Sequence, residues 1–273
     1  MSPGAKNLLQ RVVTAVVLLP PVIGVLLTGG WPCALLFSAA TGLATFEFYR
    51  LSVGPLSLHT TLPLVVAATL PLLPHGAPSS ATGLALASLV ATSAWAWSSH
   101  VLDGDVEGGA MRAPMIVQGV VFCALGPFAL ASLREAPGGA AWVLTVVAAT
   151  FGNDVMAFFG GKALGRHKLA PKVSPGKTWE GLFSGVLGSV GFSIAARLVW
   201  PEVFTWRDVA VIALVTATLG PLGDLMKSLL KRSRQVKDAG QLLPGHGGVL
   251  DRIDALVVNA PAVWVWLTWL RPD

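Results

Sequence analysis

The sequence predicts an all-α fold, a polytopic transmembrane helical bundle of about nine helices, and three observations support it. Hydrophobic residues make up 53% of the 273 and charged ones only 12%, with a mean hydropathy of +0.68, whereas a soluble domain carries about a quarter charged residues. Leu51 through Leu102 is a run of 52 residues without Asp, Glu, Lys or Arg, more than two bilayer crossings at roughly 20 residues each. The 19 basic and 14 acidic residues give a net charge of +5, but they gather in a few short segments, so position matters more than total. Disorder and a nucleic-acid-binding domain are both excluded.

Apolar stretches place the helices at residues 12–28, 32–48, 56–73, 83–99, 114–133, 140–158, 179–199, 208–226 and 255–270. The first follows Lys6 and Arg11 and contains Pro20-Pro21, where a bend is expected. Leu27-Thr28-Gly29-Gly30-Trp31 offers no small-residue cleavage site, so this segment reads as a helix and not a leader. The second closes on Glu47, the sixth carries Asn153-Asp154 near its end, and the eighth carries Asp224. The third and fourth divide the uncharged run. Cys33 and Cys123 lie in separate apolar stretches and read as small buried hydrophobes. Two regions result: 1–135, with about five helices, and 136–273, which holds the hydrophilic loops 159–178 and 227–254.

Alternating nine spans puts the N-terminus and the loops near residue 50 and at 100–113, 159–178 and 227–254 on one side. That side carries 15 Lys and Arg against 4 on the other, which makes it cytoplasmic under the positive-inside rule. The tryptophans agree: Trp95, Trp97 and Trp179 fall near inner helix ends and the other seven near outer ends, as interfacial belts require.

Glu47, Asp154 and Asp224 then all arrive at the inner boundary after charge-free sequence. Ionisable groups at such depth are functional candidates because desolvating them is expensive. After Asp224 the helix continues as Lys227-Ser228-Leu-Leu-Lys231-Arg232, loaded with cations. Beyond it, Pro244-Gly245-His246-Gly247-Gly248 permits a tight turn whose N–H groups can face an anion. Asp251 and Asp254 follow at i and i+3, on one face if a helix starts there. Alone, that pair reads as helix capping. Beside Asp224 and the cations it reads as a set of magnesium ligands, since Mg²⁺ takes one or two carboxylates and completes its shell with water and phosphate oxygens. His246 could coordinate, bind phosphate or brace the turn.

Ser174-Pro175-Gly176-Lys177-Thr178 ends in Gly-Lys-Thr and invites comparison with a P-loop, but Pro171 stands where the first glycine belongs and a membrane helix precedes the segment. A narrower reading has Lys177 and the Ser174 and Thr178 hydroxyls gripping phosphate at the N-terminus of the seventh helix. Asp103-Gly104-Asp105 with Ala110 and Arg112 is faintly like the core of the CDP-alcohol phosphotransferases, but its spacing is wrong.

The pattern Ser228-x2-Lys231-Arg232-x4-Lys237-Asp238-x-Gly240-x2-Leu243-Pro244-x-His246-Gly247-Gly248-x2-Asp251-Arg252-x-Asp254 resembles the C-terminal signature of the integral-membrane phosphatidate cytidylyltransferases. Ser174 through Gly181, including Glu180, and Gly223-Asp224 are also similar to that family, so the motif-level likeness runs from about Asp154 to Asp254. The N-terminal half agrees in hydropathy and in Glu47. Where members typically read Asp-Thr-x-Ala-Tyr, this chain has Asp154-Val155-Met156-Ala157-Phe158, two hydroxyls fewer.

The resemblance implies CTP plus phosphatidate giving CDP-diacylglycerol and pyrophosphate in the cell's inner (plasma) membrane, with 136–273 as the catalytic region and the active site on the cytoplasmic side. It implies Mg²⁺, one ion or two, and leaves a homodimer open. Asp224 and Asp251 are expected as the principal metal ligands, followed by Asp254 and Asp154. Lys231, Arg232 and Lys177 would neutralise the phosphates, while Ser174, Thr178, Glu180, Lys237, Asp238, His246, Gly247, Gly248 and Arg252 would contact substrate. A CTP-dependent polyprenol or phytol kinase and an anion transporter are the rival readings.

Overall fold

The computed structural model describes residues 3–236, 240 and 247–272. Each span expected from the sequence coincides with helix over most of its length. In chain order these are α1 (Pro3–Thr28), α2 (Gly30–Ser52), α3 (Leu58–Thr69), α4 (Leu73–Gly76), α5 (Ala81–Leu102), α6 (Val106–Glu135) and α7 (Gly139–Leu164). After a hairpin of β1 (Lys168–Ala170) and β2 (Ser174–Thr178) come α8 (Trp179–Val199), α9 (Trp206–Ser233), α10 (Leu250–Ile253) and α11 (Leu256–Val265). An all-α membrane protein fits this architecture. Among the described residues four helices, α6 to α9, are long and apolar enough to cross a bilayer. α2 and α5 have the length, at 23 and 22 residues.

Two expected spans are not uniform helices. The third is α3 joined to α4 through a 3₁₀ turn at Leu70–Leu72, with Pro63, Pro71 and Pro74 along it. Each proline removes a backbone donor, which favours the local change of helix type. The ninth runs as α11 and passes into a π turn at Trp266–Leu270. The loop expected at 159–178 begins inside α7 and ends as the antiparallel hairpin, with Lys168 opposite Thr178 and Ala170 opposite Ser174.

The chain forms two compact units. One contains residues up to Ser132 together with Arg234–Ile253. Here the Tyr49 hydroxyl donates to the Ile116 carbonyl at 2.8 Å, and Gly119 leaves the space that the Tyr49 ring occupies. Ser38 bridges α2 to α3 by donating to the Ala68 carbonyl at 2.6 Å. Cys33 and Cys123 are both buried, as the apolar stretches predict.

The other unit contains Leu133–Ser233 and Asp254–Asp273. Its main contact is α7 against α8, made by small residues: a Cβ on Gly188 would overlap the Gly152 carbonyl, and one on Gly152 the Phe192 ring. With lipid tails as apolar as leucine, close backbone approach and buried polar pairs hold such helices together. Asn153 donates to Ser189 at 3.0 Å and Asn259 to Thr150 at 2.9 Å. The start of α9 is fixed by Asp208, fully buried. Its carboxylate accepts from the Thr205 amide at 2.7 Å, the Trp266 indole at 2.8 Å and Arg271 at 3.0 Å.

Candidate active site

Four charged side chains from β2, α9 and the residue preceding Ala255 meet in the second unit. Lys177, near the end of β2, places Nζ 2.8 Å from Asp224 Oδ2 and donates to the Pro221 carbonyl at 3.1 Å. Lys227, one turn beyond Asp224 on α9, lies 3.3 Å from Asp224 Oδ1 and pairs closely with Asp254. The i, i+3 spacing on α9 puts Asp224 and Lys227 on one face. Lys227 and Asp254 are buried, at 5% and 6% exposure. Burial pushes the Asp254 carboxyl up to about 6, desolvation outweighing the neighbouring Lys227 ammonium. Asp154 on α7 is near enough to feel Asp254, Asp224 and both lysines.

The hairpin owes its position to the same sequence segment. Thr178 caps α8 by accepting from the Gly181 amide at 3.1 Å. Glu180 accepts from the Arg166 amide at 3.1 Å and from His167 Nδ1 at 2.6 Å, so it braces the chain entering β1. Arg232 Nε donates to the Val173 carbonyl at 3.3 Å, fastening the last turn of α9 to the hairpin. Lys231 lies one position before it, and Ser174 is half-buried at the start of β2. A strand does precede α8, contrary to the sequence reading, but Pro171 still removes the first P-loop glycine. Val155 and Phe158, where the family typically carries hydroxyls, are exposed.

In the first unit Glu47 is buried on α2. Its Oε1 accepts from the Val249 amide at 3.1 Å and its Oε2 from the Leu250 amide at 2.9 Å. The anion faced by this turn is therefore supplied by the chain itself. Gly247 adopts a φ of 78°, a left-handed conformation that glycine accepts without steric cost. Asp251 reaches back to accept from the Gly248 amide at 3.3 Å, which is the capping geometry, and Arg252 is exposed. Lys237, Asp238 and His246 lie outside the described residues.

Among the described residues no group of three His, Cys, Asp or Glu side chains is gathered as a metal site. Asp224 and Asp254 nonetheless share the Lys227 ammonium. Asp224 and Asp254 are the residues here that could hold magnesium, a hard cation that needs no complete protein cage. Lys227 was not singled out among the site residues by sequence; its spacing from Asp224 was the available signal. The partner of Glu47 had none.

These features define an integral-membrane protein whose charged residues converge beside apolar helices. A sequence model described as the cytidylyltransferase family matches residues 9–270, and the chain belongs to that family. The phosphatidate cytidylyltransferase of Brucella abortus is 34% identical over 277 aligned residues, spanning 98% of this chain and 96% of its own length. That of Pseudomonas aeruginosa is 34% identical over 95% of this chain and 96% of its own. The Haemophilus influenzae phosphatidate cytidylyltransferase is 41% identical over 44% of this chain and 43% of its own.

Proposed function

We infer that the chain is a phosphatidate cytidylyltransferase, converting CTP and phosphatidate to CDP-diacylglycerol and pyrophosphate. Family membership with full-length relatives of that name supports the reading, and the observation that carries its chemistry is the Lys177–Asp224–Lys227–Asp254 cluster. A phosphatidate oxygen is already anionic near neutral pH, so no strong base is required. It forms a bond to the α-phosphorus of CTP while the bond from that phosphorus to the β-bridging oxygen breaks, and pyrophosphate leaves. The obstacle is bringing two polyanions together, and positioned cations meet it.

Lys177, Lys231 and Arg232 neutralise substrate phosphates in this reading. Ser174, Thr178, Gly247, Gly248, Arg252 and the segment with Lys237, Asp238 and His246 line the nucleotide and headgroup positions. Glu180 acts through the hairpin it braces. Asp224 and Asp254 would hold magnesium, one ion or two, with Asp154 as a further acid; the sequence pattern adds Asp251. Bound magnesium would offset charge on the triphosphate and on the departing pyrophosphate.

The enzyme is proposed to cross the inner membrane about nine times with this chemistry on the cytoplasmic side, supported by the 15 to 4 distribution of Lys and Arg. Lipid enters laterally with its acyl chains left in the bilayer. A cysteine replacing Lys168 should then react with an impermeant thiol reagent only after the cytoplasmic face is opened.

The test of the reaction follows phosphorus. With CTP labelled at the α or γ position in parallel, α-label should enter the lipid phase and γ-label remain in water. Label from the γ position in lipid would instead establish a lipid kinase.

A further inference from the structure

We propose that Glu47 is a positioning residue for the reaction, tying the glycine turn that carries Asp251 to helix α2. The proposal rests on the cytidylyltransferase reading and deepens it. Glu47 is 3% exposed, and an ionised carboxylate is retained in such a place only where donors compensate its desolvation. The donors are the successive Val249 and Leu250 amides, each taken by a different oxygen. Gly240 and Gly248 pack on the same carboxylate, and a Cβ on either would overlap it. Two hydrogen bonds and two glycine contacts, one before the turn and one within it, thereby hold it. Asp251 is the residue immediately after Leu250, and its own carboxylate binds the Gly248 amide. Its direction is consequently set by the backbone that Glu47 grips.

Chemically, the position requires an acceptor at both oxygens. In Glu47→Gln one acceptor becomes an NH₂ group facing a backbone N–H, donor against donor, so one tether is lost and the turn is pushed away. In Glu47→Asp both acceptors remain but the reach is one methylene shorter. A displacement of about 1 Å at a catalytic group costs on the order of 10²-fold in rate, and outer partners of metal ligands typically cost on the order of 10–100-fold.

The experiment uses the purified full-length protein with CTP, phosphatidate and Mg²⁺. For Glu47→Gln, turnover should fall on the order of 10–100-fold, and the magnesium concentration giving half-maximal rate should rise several-fold. Glu47→Asp should fall between it and the unsubstituted enzyme. Separately, a cysteine placed at Val249 should react faster with a thiol reagent when Glu47→Gln is also present. A purely structural role would reduce the fraction of active enzyme and leave the magnesium dependence unchanged. If both the magnesium dependence and the Val249→Cys reactivity stay at the values seen with Glu47 intact, the proposal is overturned, whatever happens to turnover. Should Glu47→Gln fail to fold, Glu47→Asp carries the same two measurements. If the unsubstituted protein transfers no cytidylyl group, the functional reading falls, and the thiol reactivity alone decides the tether.

Discussion

Lys177 Nζ and Asp224 Oδ2 lie 2.8 Å apart, joining strand β2 to helix α9, which begins at Trp206 and carries the acid in its C-terminal half. The pair is partly open, at 23% and 32% side-chain exposure. It is therefore weakly stabilising, on the order of 0–1 kcal/mol, and a ligand can compete for the lysine at little cost.

Lys177→Ala should lower kcat/KM for CTP by about 10²-fold or more, the usual loss when one positioned donor is removed from a developing anion. The melting temperature in detergent should stay within a few degrees. Steady-state kinetics together with thermal unfolding checks both halves.

Asp254→Asn and Asp224→Asn should separate in stability. The first leaves the buried Lys227 ammonium without its closest counter-charge, a loss of about 3–5 kcal/mol. The second keeps the Lys227–Asp254 pair and should cost under about 1 kcal/mol. Thermal or denaturant unfolding of the two variants side by side gives the comparison.

Asp251→Asn tests whether that carboxylate does more than cap. Asparagine caps a helix about as well as aspartate, so its bond to the Gly248 amide should survive and the unfolding midpoint should hold. Turnover should nevertheless fall by at least about 10²-fold if the charge serves a metal or phosphate step. Near-normal rates at saturating magnesium would return Asp251 to capping alone.

Asp208→Ala should destabilise without touching nucleotide binding. Four donors, the Thr205 amide and hydroxyl, the Trp266 indole and Arg271, lose their acceptor at once. The expected loss is about 3–5 kcal/mol, read as a lowered unfolding midpoint. KM for CTP should be unchanged in the folded fraction.

The sequence exposed the helices because uninterrupted apolar residues leave a backbone in lipid few options but to bond to itself. It exposed Asp224 because that acid closes such a stretch, and Lys177 because Gly-Lys-Thr stands at the start of another. The hairpin falls within the loop expected at 159–178: a three-residue strand is too short for alternation to show, and Ser174-Pro175-Gly176-Lys177-Thr178 has no alternating apolar residues. Lys227 looked like one of several flanking cations, since nothing in its neighbours reveals that Asp254 would fold back onto it. Glu47 announced that it needed a partner, but the partner is a pair of amides about 200 residues away, and backbone N–H groups leave no compositional trace.

The glycine contact between α7 and α8 has a consequence for how a nucleotide could be admitted. Two backbones meeting at Gly152 and Gly188 cannot slide or separate without rebuilding the interface, so the hairpin that links these helices has fixed footings. Motion at Lys177 is then confined to its own four-carbon arm and the strand beneath it. Rotamer changes of that kind take picoseconds to nanoseconds, whereas shifts of packed helices take microseconds to milliseconds. Capture of the triphosphate should accordingly be a fast swing of side chains over a stiff frame.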